Sequence, residues 1–234
     1  LICDVFEGLQ PPETPSYAGM LLRLFLAVAP DLEYETFDVH RGVFPAAFHA
    51  DELYLIPGSR DSAYDDTPRV RNLIRLVRDM DAAKVKMAGI CFGHQIIARA
   101  LGGRVEKARQ GWGTGLRRST VRDLKASAYF PKGTVSLLYN HHDQVTALPP
   151  QAVCFAQSDF CPFEGFYVED RILTFQGHPE YTPDYSRYLL LHHAGDEPEE
   201  VKTNALASLN DCRPPDSAAV ARWLVNLLRT KTWE

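Results

Sequence analysis

The chain has 234 residues, a formal charge of −5, 45% hydrophobic and 24% charged residues, the balance of an ordinary globular protein long enough to bury a real core. Its acidic balance argues against a nucleic-acid partner, which calls for a basic face, and no apolar run approaches the roughly 18 residues that span a bilayer. Five cysteines (Cys3, Cys91, Cys154, Cys161, Cys212) include no C-x-x-C pair, which argues against a zinc site or disulfide framework and for a reducing, cytoplasmic setting.

The sequence opens on Leu1 rather than a methionine, so residues before it are expected. "LICDVF" (1–6) reads as a first strand and "EGLQPPETPS" (7–16) as a turn-rich loop. "YAGMLLRLFLAVA" (17–29) sets Met20, Leu21, Leu24, Phe25 and Val28 on one helical stripe. "YETFDV" (34–39) has the makeup of a second strand, and "LYLIPGS" (53–59) that of a third, stopped by Pro57 and Gly58. "DDTPRVRNLIRLVRDM" (65–80) begins with acids and carries Val70, Leu73, Ile74 and Val77 at helical spacing. "VKMAGI" (85–90) is a fourth, almost wholly apolar strand, and "FGHQIIARAL" (92–101) a helix closed by Gly102 and Gly103.

After Gly103 the elements shorten. "RVEKA" (104–108), "GTGLRRSTV" (113–121) and "TVSLLYN" (134–140) suggest antiparallel strands, and "AVCFAQSD" (152–159), "FEGFYVED" (163–170) and "RILTFQGHPE" (171–180) lead back to the main sheet. "TPDYSRYLLLHHA" (182–194) reads as a helix and "GDEPEEVK" (195–202) as an acidic surface connector. "SAAVARWLVNLL" (217–228) closes the chain as an amphipathic helix with Val220, Trp223, Leu224, Leu227 and Leu228 inward. Strands alternating with helices predict an α/β fold: an open, mostly parallel sheet with helices on both faces and additional antiparallel strands. With no internal repeat or low-complexity segment, one domain is expected over residues 1–234.

Cys91 ends a buried strand and precedes a helix, with Gly89 and Gly93 two residues to each side. The helix N-terminus carries partial positive charge, which stabilises a thiolate. The flanking glycines give room for a sharp strand-to-helix turn, the arrangement that exposes a nucleophile and aims the following N–H, here of Phe92, at an oxyanion. A core cysteine beside close-packed glycines is the plain alternative. A thiolate also needs a base that takes and returns a proton. His178 and Glu180 flank Pro179, which favours extended backbone before it, and residues two apart in such a segment point the same way. Both follow an apolar strand, as Cys91 does, and functional groups of open α/β sheets gather beyond the carboxyl ends of strands.

"GICFGHQ" and "GHPE" together resemble the nucleophile and His-x-Glu motifs of the class I glutamine amidotransferases. "LIPGSRDSAYDD", "GGRVEKARQGWG" and "NHHDQVTALPP" resemble other segments of the family's stand-alone members, in the right order over residues 53–180. The resemblance implies a flavodoxin-like sheet and a catalytic triad that releases ammonia from glutamine through a γ-glutamyl thioester. By position, Cys91 is the nucleophile, His178 the acid and base, and Glu180 its orienting partner. Gly58 and Phe92 supply oxyanion-hole N–H groups, and Ser59, Gln95 and His142 contact substrate. His141 and His142 resemble part of a Ser-His-x-Asp segment, with Asn140 where the serine would stand; a structural role for both histidines remains open. His94 is placed on the shoulder of the cysteine's helix, and His192 and His193 are read as solvent or packing residues. No cluster has metal-ligand spacing, and no cofactor is called for.

Three functions fit this reading. One is a glutamine-hydrolysing subunit that passes ammonia to a separate synthetase. Another is a stand-alone γ-glutamyl peptidase acting on γ-glutamyl peptides or conjugates. The last is a non-catalytic regulatory module of the same fold. The small-molecule substrate is glutamine or a γ-glutamyl compound; neither nucleic acid nor membrane is expected as a partner.

Overall fold

A computed structural model describes residues 15–193, 196–210 and 213–229; the strand expected at 1–6 lies outside them. Helix α1 (Tyr17–Leu26) starts at Ser16, whose side chain accepts the N–H of Gly19, and it buries Tyr17, Met20 and Leu21. The segment expected to form a strand at 34–39 does not. It joins no ladder among the described residues, Tyr34 is 59% exposed, and Val39–Arg41 forms a single 3-10 turn capped by Asp38. Asp38 alone of the segment takes part in an isolated β-bridge.

The next elements follow their sequence signals closely. Strand β1 (Leu53–Ile56) precedes α2 (Pro68–Ala82), which begins with Thr67 accepting the Val70 N–H and Pro68 at the first helical position. Helix α2 buries Val70, Leu73, Leu76, Val77 and Met80, one stripe at helical spacing. Strand β2 (Lys86–Ile90) then runs into α3 (Phe92–Ala100). Strands β3 (Arg104–Lys107), β4 (Gly113–Val121), β5 (Thr134–His141), β6 (Asp143–Ala147), β7 (Val153–Gln157), β8 (Gly165–Val168) and β9 (Ile172–Phe175) follow, with the short helix α4 (Leu124–Ser127) between β4 and β5. Helices α5 (Pro183–His192), α6 (Glu199–Ser208) and α7 (Ser217–Arg229) complete the order. Of the acidic segment expected as a connector at 195–202, Gly195 lies outside the described residues and only 196–198 precede a helix. From there it is the first turn of α6, where Glu199 and Glu200 complement the helix dipole.

Seven strands form one sheet in the order β1-β2-β9-β8-β7-β4-β5, and β3 and β6 pair separately. Pairing is parallel from β1 through β2 to β9, and antiparallel from β9 onward to β5. The side chains of β2 and β9 divide between two cores. Met87 and Ile172 pack with Val70, Leu73, Val77, Ile96 and Ile97 of α2 and α3, whereas Ala88, Leu173 and Phe175 pack with Val220, Trp223 and Leu224 of α7. Apolar residues facing both ways are what a doubly covered sheet demands. This is the α/β architecture that the sequence predicts, with helices on both faces.

Glu164, beside β8, is 2% exposed. Burial pushes its carboxyl up to about 7, against the opposing pull of the Ser158 hydroxyl, Tyr139 and Arg117. An acid whose folded-state affinity for its proton is raised keeps that proton while the unfolded chain loses it. Stability therefore falls as pH rises from about 4.5 to 7, then levels off. A displacement of this size corresponds to roughly 3 kcal/mol. Glu164→Gln, which carries no charge, should melt several degrees above wild type at pH 8 and within a degree or two of it at pH 4. Equal displacement at both pH values, read by circular dichroism, would contradict the burial cost.

Candidate active site

Three neighbouring parallel strands end together. Ile56 of β1 is paired with Gly89 of β2, and Ile90 with Phe175 of β9, so Gly58, Cys91 and His178 all follow the carboxyl ends of adjacent strands. Cys91 sits at φ +51°, ψ −104°, a conformation that costs an L-residue strain and is held by its surroundings. Its N–H donates to Phe175 O at 2.8 Å, and its carbonyl accepts the Gln95 N–H at 3.1 Å. The two flanking glycines are steric necessities. A Cβ on Gly89 would lie 2.6 Å from the Gly93 carbonyl carbon, and one on Gly93 only 1.8 Å from Ile56 O. Phe92 is the first residue of α3, where no helical carbonyl serves its N–H.

His178 is tied down by its own backbone, whose N–H donates to Leu138 O at 2.7 Å. The imidazole is 1% exposed as a residue and stacks on Tyr181, ring centroids 3.9 Å apart and planes 9° from parallel. Its Nδ1 lies 2.7 Å from Glu180 Oε1. A carboxylate only accepts, so the proton is on Nδ1 and Nε2 is left for other chemistry. Burial alone would depress the ring's proton affinity; the charge of Glu180 and the adjoining Cys91 outweigh it and raise it to about 10. The Cys91 thiol is thus brought to an imidazole and carboxylate from a distant part of the sequence.

Gly58 touches the same ring, because a Cβ there would stand 3.0 Å from His178 Cε1. Its N–H donates to the Tyr17 hydroxyl at 3.3 Å. The loop after it is pinned at the far side: Ser62 Oγ donates to Asp143 Oδ2 at 2.6 Å and Tyr64 to Asp143 Oδ1 at 3.1 Å. His142 Nδ1 donates to the same Oδ1 at 2.6 Å, and its ring meets Trp112 edge-on at 4.5 Å. The hydrogen bond to Asp143 raises His142's proton affinity. Burial would lift the Asp143 carboxyl, but His142 and Ser62 hold it below the usual range.

The other expected substrate contacts have protein partners. Ser59 Oγ accepts the Asp61 N–H at 3.2 Å within its own turn. Gln95 is buried, donating to Asp143 O at 2.8 Å and Gln176 Oε1 at 3.1 Å, so it braces α3 against β6 and the end of β9. His94 lies in the interior rather than on a shoulder. Its Nδ1 donates to Thr174 Oγ1 at 2.8 Å, and burial together with His141 depresses its proton affinity to about 3. His141 donates from Nδ1 to Asp143 O at 2.9 Å, and burial lowers it to about 4. His192 and His193 pack around Tyr188. Among the described residues, no group of three or more His, Cys, Asp or Glu could hold a metal ion, and no helix is long and apolar enough to cross a membrane.

Two aromatic residues of the site escape a motif-based reading. Tyr181 directly follows the His-Pro-Glu run, which was its signal. Tyr17 lies on the apolar stripe of α1, three and four residues before Met20 and Leu21, and reads there as core.

Residues 27–193 match the family model of glutamine amidotransferase class-I. The chain is similar to gamma-glutamyl peptidase 2 of Arabidopsis thaliana, 38% identical over 65% of this chain and 63% of the relative. It is also similar to gamma-glutamyl peptidase 3 of the same plant, 34% identical over 65% and 64%. It therefore spans a little under two thirds of the length of these two relatives. A solved glutamine amidotransferase from Methylobacillus flagellatus shares the fold with a TM-score of 0.68 and 21% identity, over 88% of each chain. With most of its length inside the matched region, the chain belongs to the class I glutamine amidotransferase family.

Proposed function

We propose that the chain is a cysteine-dependent hydrolase of γ-glutamyl amides, acting on γ-glutamyl peptides or conjugates without a synthetase. The meeting of Cys91, His178 and Glu180 at the ends of adjacent strands carries this reading. The sequence motifs suggest glutamine first, but glutamine and γ-glutamyl peptides share the same carbonyl and differ only in the leaving amine. Similarity to two γ-glutamyl peptidases favours the larger amine.

In this mechanism, the raised proton affinity of His178 favours the imidazolium, the partner that a thiolate on Cys91 requires. Sulfur attacks the γ-carbonyl carbon, and the oxyanion is met by the Phe92 N–H and, once it turns from Tyr17, the Gly58 N–H. The C–N bond breaks as His178 gives its proton to the departing amine. Water then attacks the thioester, His178 takes a proton from it, and glutamate leaves as the thiol is restored. Glu180 keeps the ring in the required tautomer throughout.

The purified chain alone should release amine from a γ-glutamyl dipeptide, and release ammonia from free glutamine more slowly. Glu180→Gln should lose less activity than His178→Ala, because the carboxamide oxygen still accepts from Nδ1. Absence of turnover with every γ-glutamyl substrate, in a folded protein, would remove the proposal.

A further inference from the structure

Tyr17 is fully buried in the first turn of α1, 161 residues from His178 in sequence. A phenol offers one donor and two acceptor sites. The donor goes to Glu180 Oε1; the oxygen accepts the Gly58 N–H at 3.3 Å and lies 3.4 Å from His178 Nδ1. The ring packs edge-on against Tyr181, centroids 6.3 Å apart, and Tyr181 in turn lies flat on the imidazole. Burial, then the charge of Glu180, raises the phenol's hold on its proton well above the ordinary value, so it remains a donor across the working pH range.

Glu180 needs such a donor. Its Oε2 is buried with no hydrogen-bond partner among the described residues, so Oε1 holds the carboxylate in place, and Oε1 receives both His178 Nδ1–H and the Tyr17 O–H. Without the phenol, the imidazole would be oriented by a carboxylate whose remaining hydrogen bond is to that same imidazole.

We propose that Tyr17 is a positioning residue for the reaction: one buried hydroxyl fixes the carboxylate that orients His178. The proposal rests on the hydrolase reading above and adds a residue from a helix that no motif marks.

The test is Tyr17→Phe in the full chain, which keeps the ring and its packing. With a γ-glutamyl dipeptide, kcat should fall about 10- to 100-fold, the scale of a small misplacement of catalytic groups, with KM little changed and the melting midpoint close to wild type. The pH profile of Cys91 alkylation by iodoacetamide should also move, which a packing role would not cause. Incorporating 3-fluorotyrosine at position 17, which keeps a hydroxyl, should restore most of kcat. Wild-type kcat and an unmoved alkylation profile in Tyr17→Phe would overturn the proposal, as would a failure of the fluorinated hydroxyl to restore activity in a folded protein. If the wild-type chain hydrolyses no γ-glutamyl substrate, the hydrolase reading fails. The alkylation profile, which needs no substrate, still decides whether Tyr17 orders the pair.

Discussion

Cys91→Ala should fold as wild type does and lose at least about 10⁴-fold in γ-glutamyl turnover, the scale seen when a covalent nucleophile is removed. The alanine keeps Cβ and the backbone N–H that donates to Phe175 O, so nothing in the ladder changes. Only the sulfur is missing. Because position 91 sits at φ +51°, Cys91→Gly should be no less stable than Cys91→Ala, with the relief of Cβ strain contributing about 1 kcal/mol. Thermal melts beside a dipeptide assay check both statements. Appreciable turnover by Cys91→Ala would show that the chemistry lies elsewhere.

Gly93→Ala should be the most disruptive single-methyl change in the fold. The new Cβ would fall 1.8 Å from Ile56 O and 2.6 Å from its carbonyl carbon. That obstacle is β1 backbone, which cannot rotate aside as a side chain would. Ordinary overpacking costs about 1–3 kcal/mol; with backbone as the obstacle, a loss above about 4 kcal/mol is expected. Gly111→Ala is the control. Gly111 has φ +83° but open space around its Cβ position, so the cost there is conformational alone, about 1–2 kcal/mol. Denaturant titration should separate the two variants clearly. A native midpoint for Gly93→Ala would mean that α3 does not press on β1 as described.

The same glycine explains why the site was so legible in the sequence. G-x-C-x-G states a packing constraint and a turn in five residues, and both are local. His178 and Glu180 were legible for a similar reason: two residues apart around a proline, they needed no tertiary knowledge to be placed side by side. Tyr17 was not legible, because its partner Glu180 is 163 residues away and its stripe position is also what a core residue would occupy. For Gln95 the place on the helix was readable, while its acceptors Asp143 O and Gln176 Oε1 were not.

Among the elements, α2, β2, α3 and α7 carried strong periodicity or unbroken apolar runs. Strand β6 hid in a histidine-rich segment, and α6 buries Ala205 as its one fully covered side chain among those described, too little for a stripe to emerge. The failure at 34–39 is the converse. Among the described residues, Asp38 alone of that segment takes part in a β-bridge, and composition by itself does not supply a ladder.

The parallel trio β1, β2 and β9 sets an interval that side chains do not. Adjacent strands lie about 4.8 Å apart because amide hydrogen bonds set that interval, so the separation between Cys91 and the start of the His178 segment is a lattice spacing and not a product of side-chain fit. Changes in the antiparallel extension and its connecting turns leave that interval as it is.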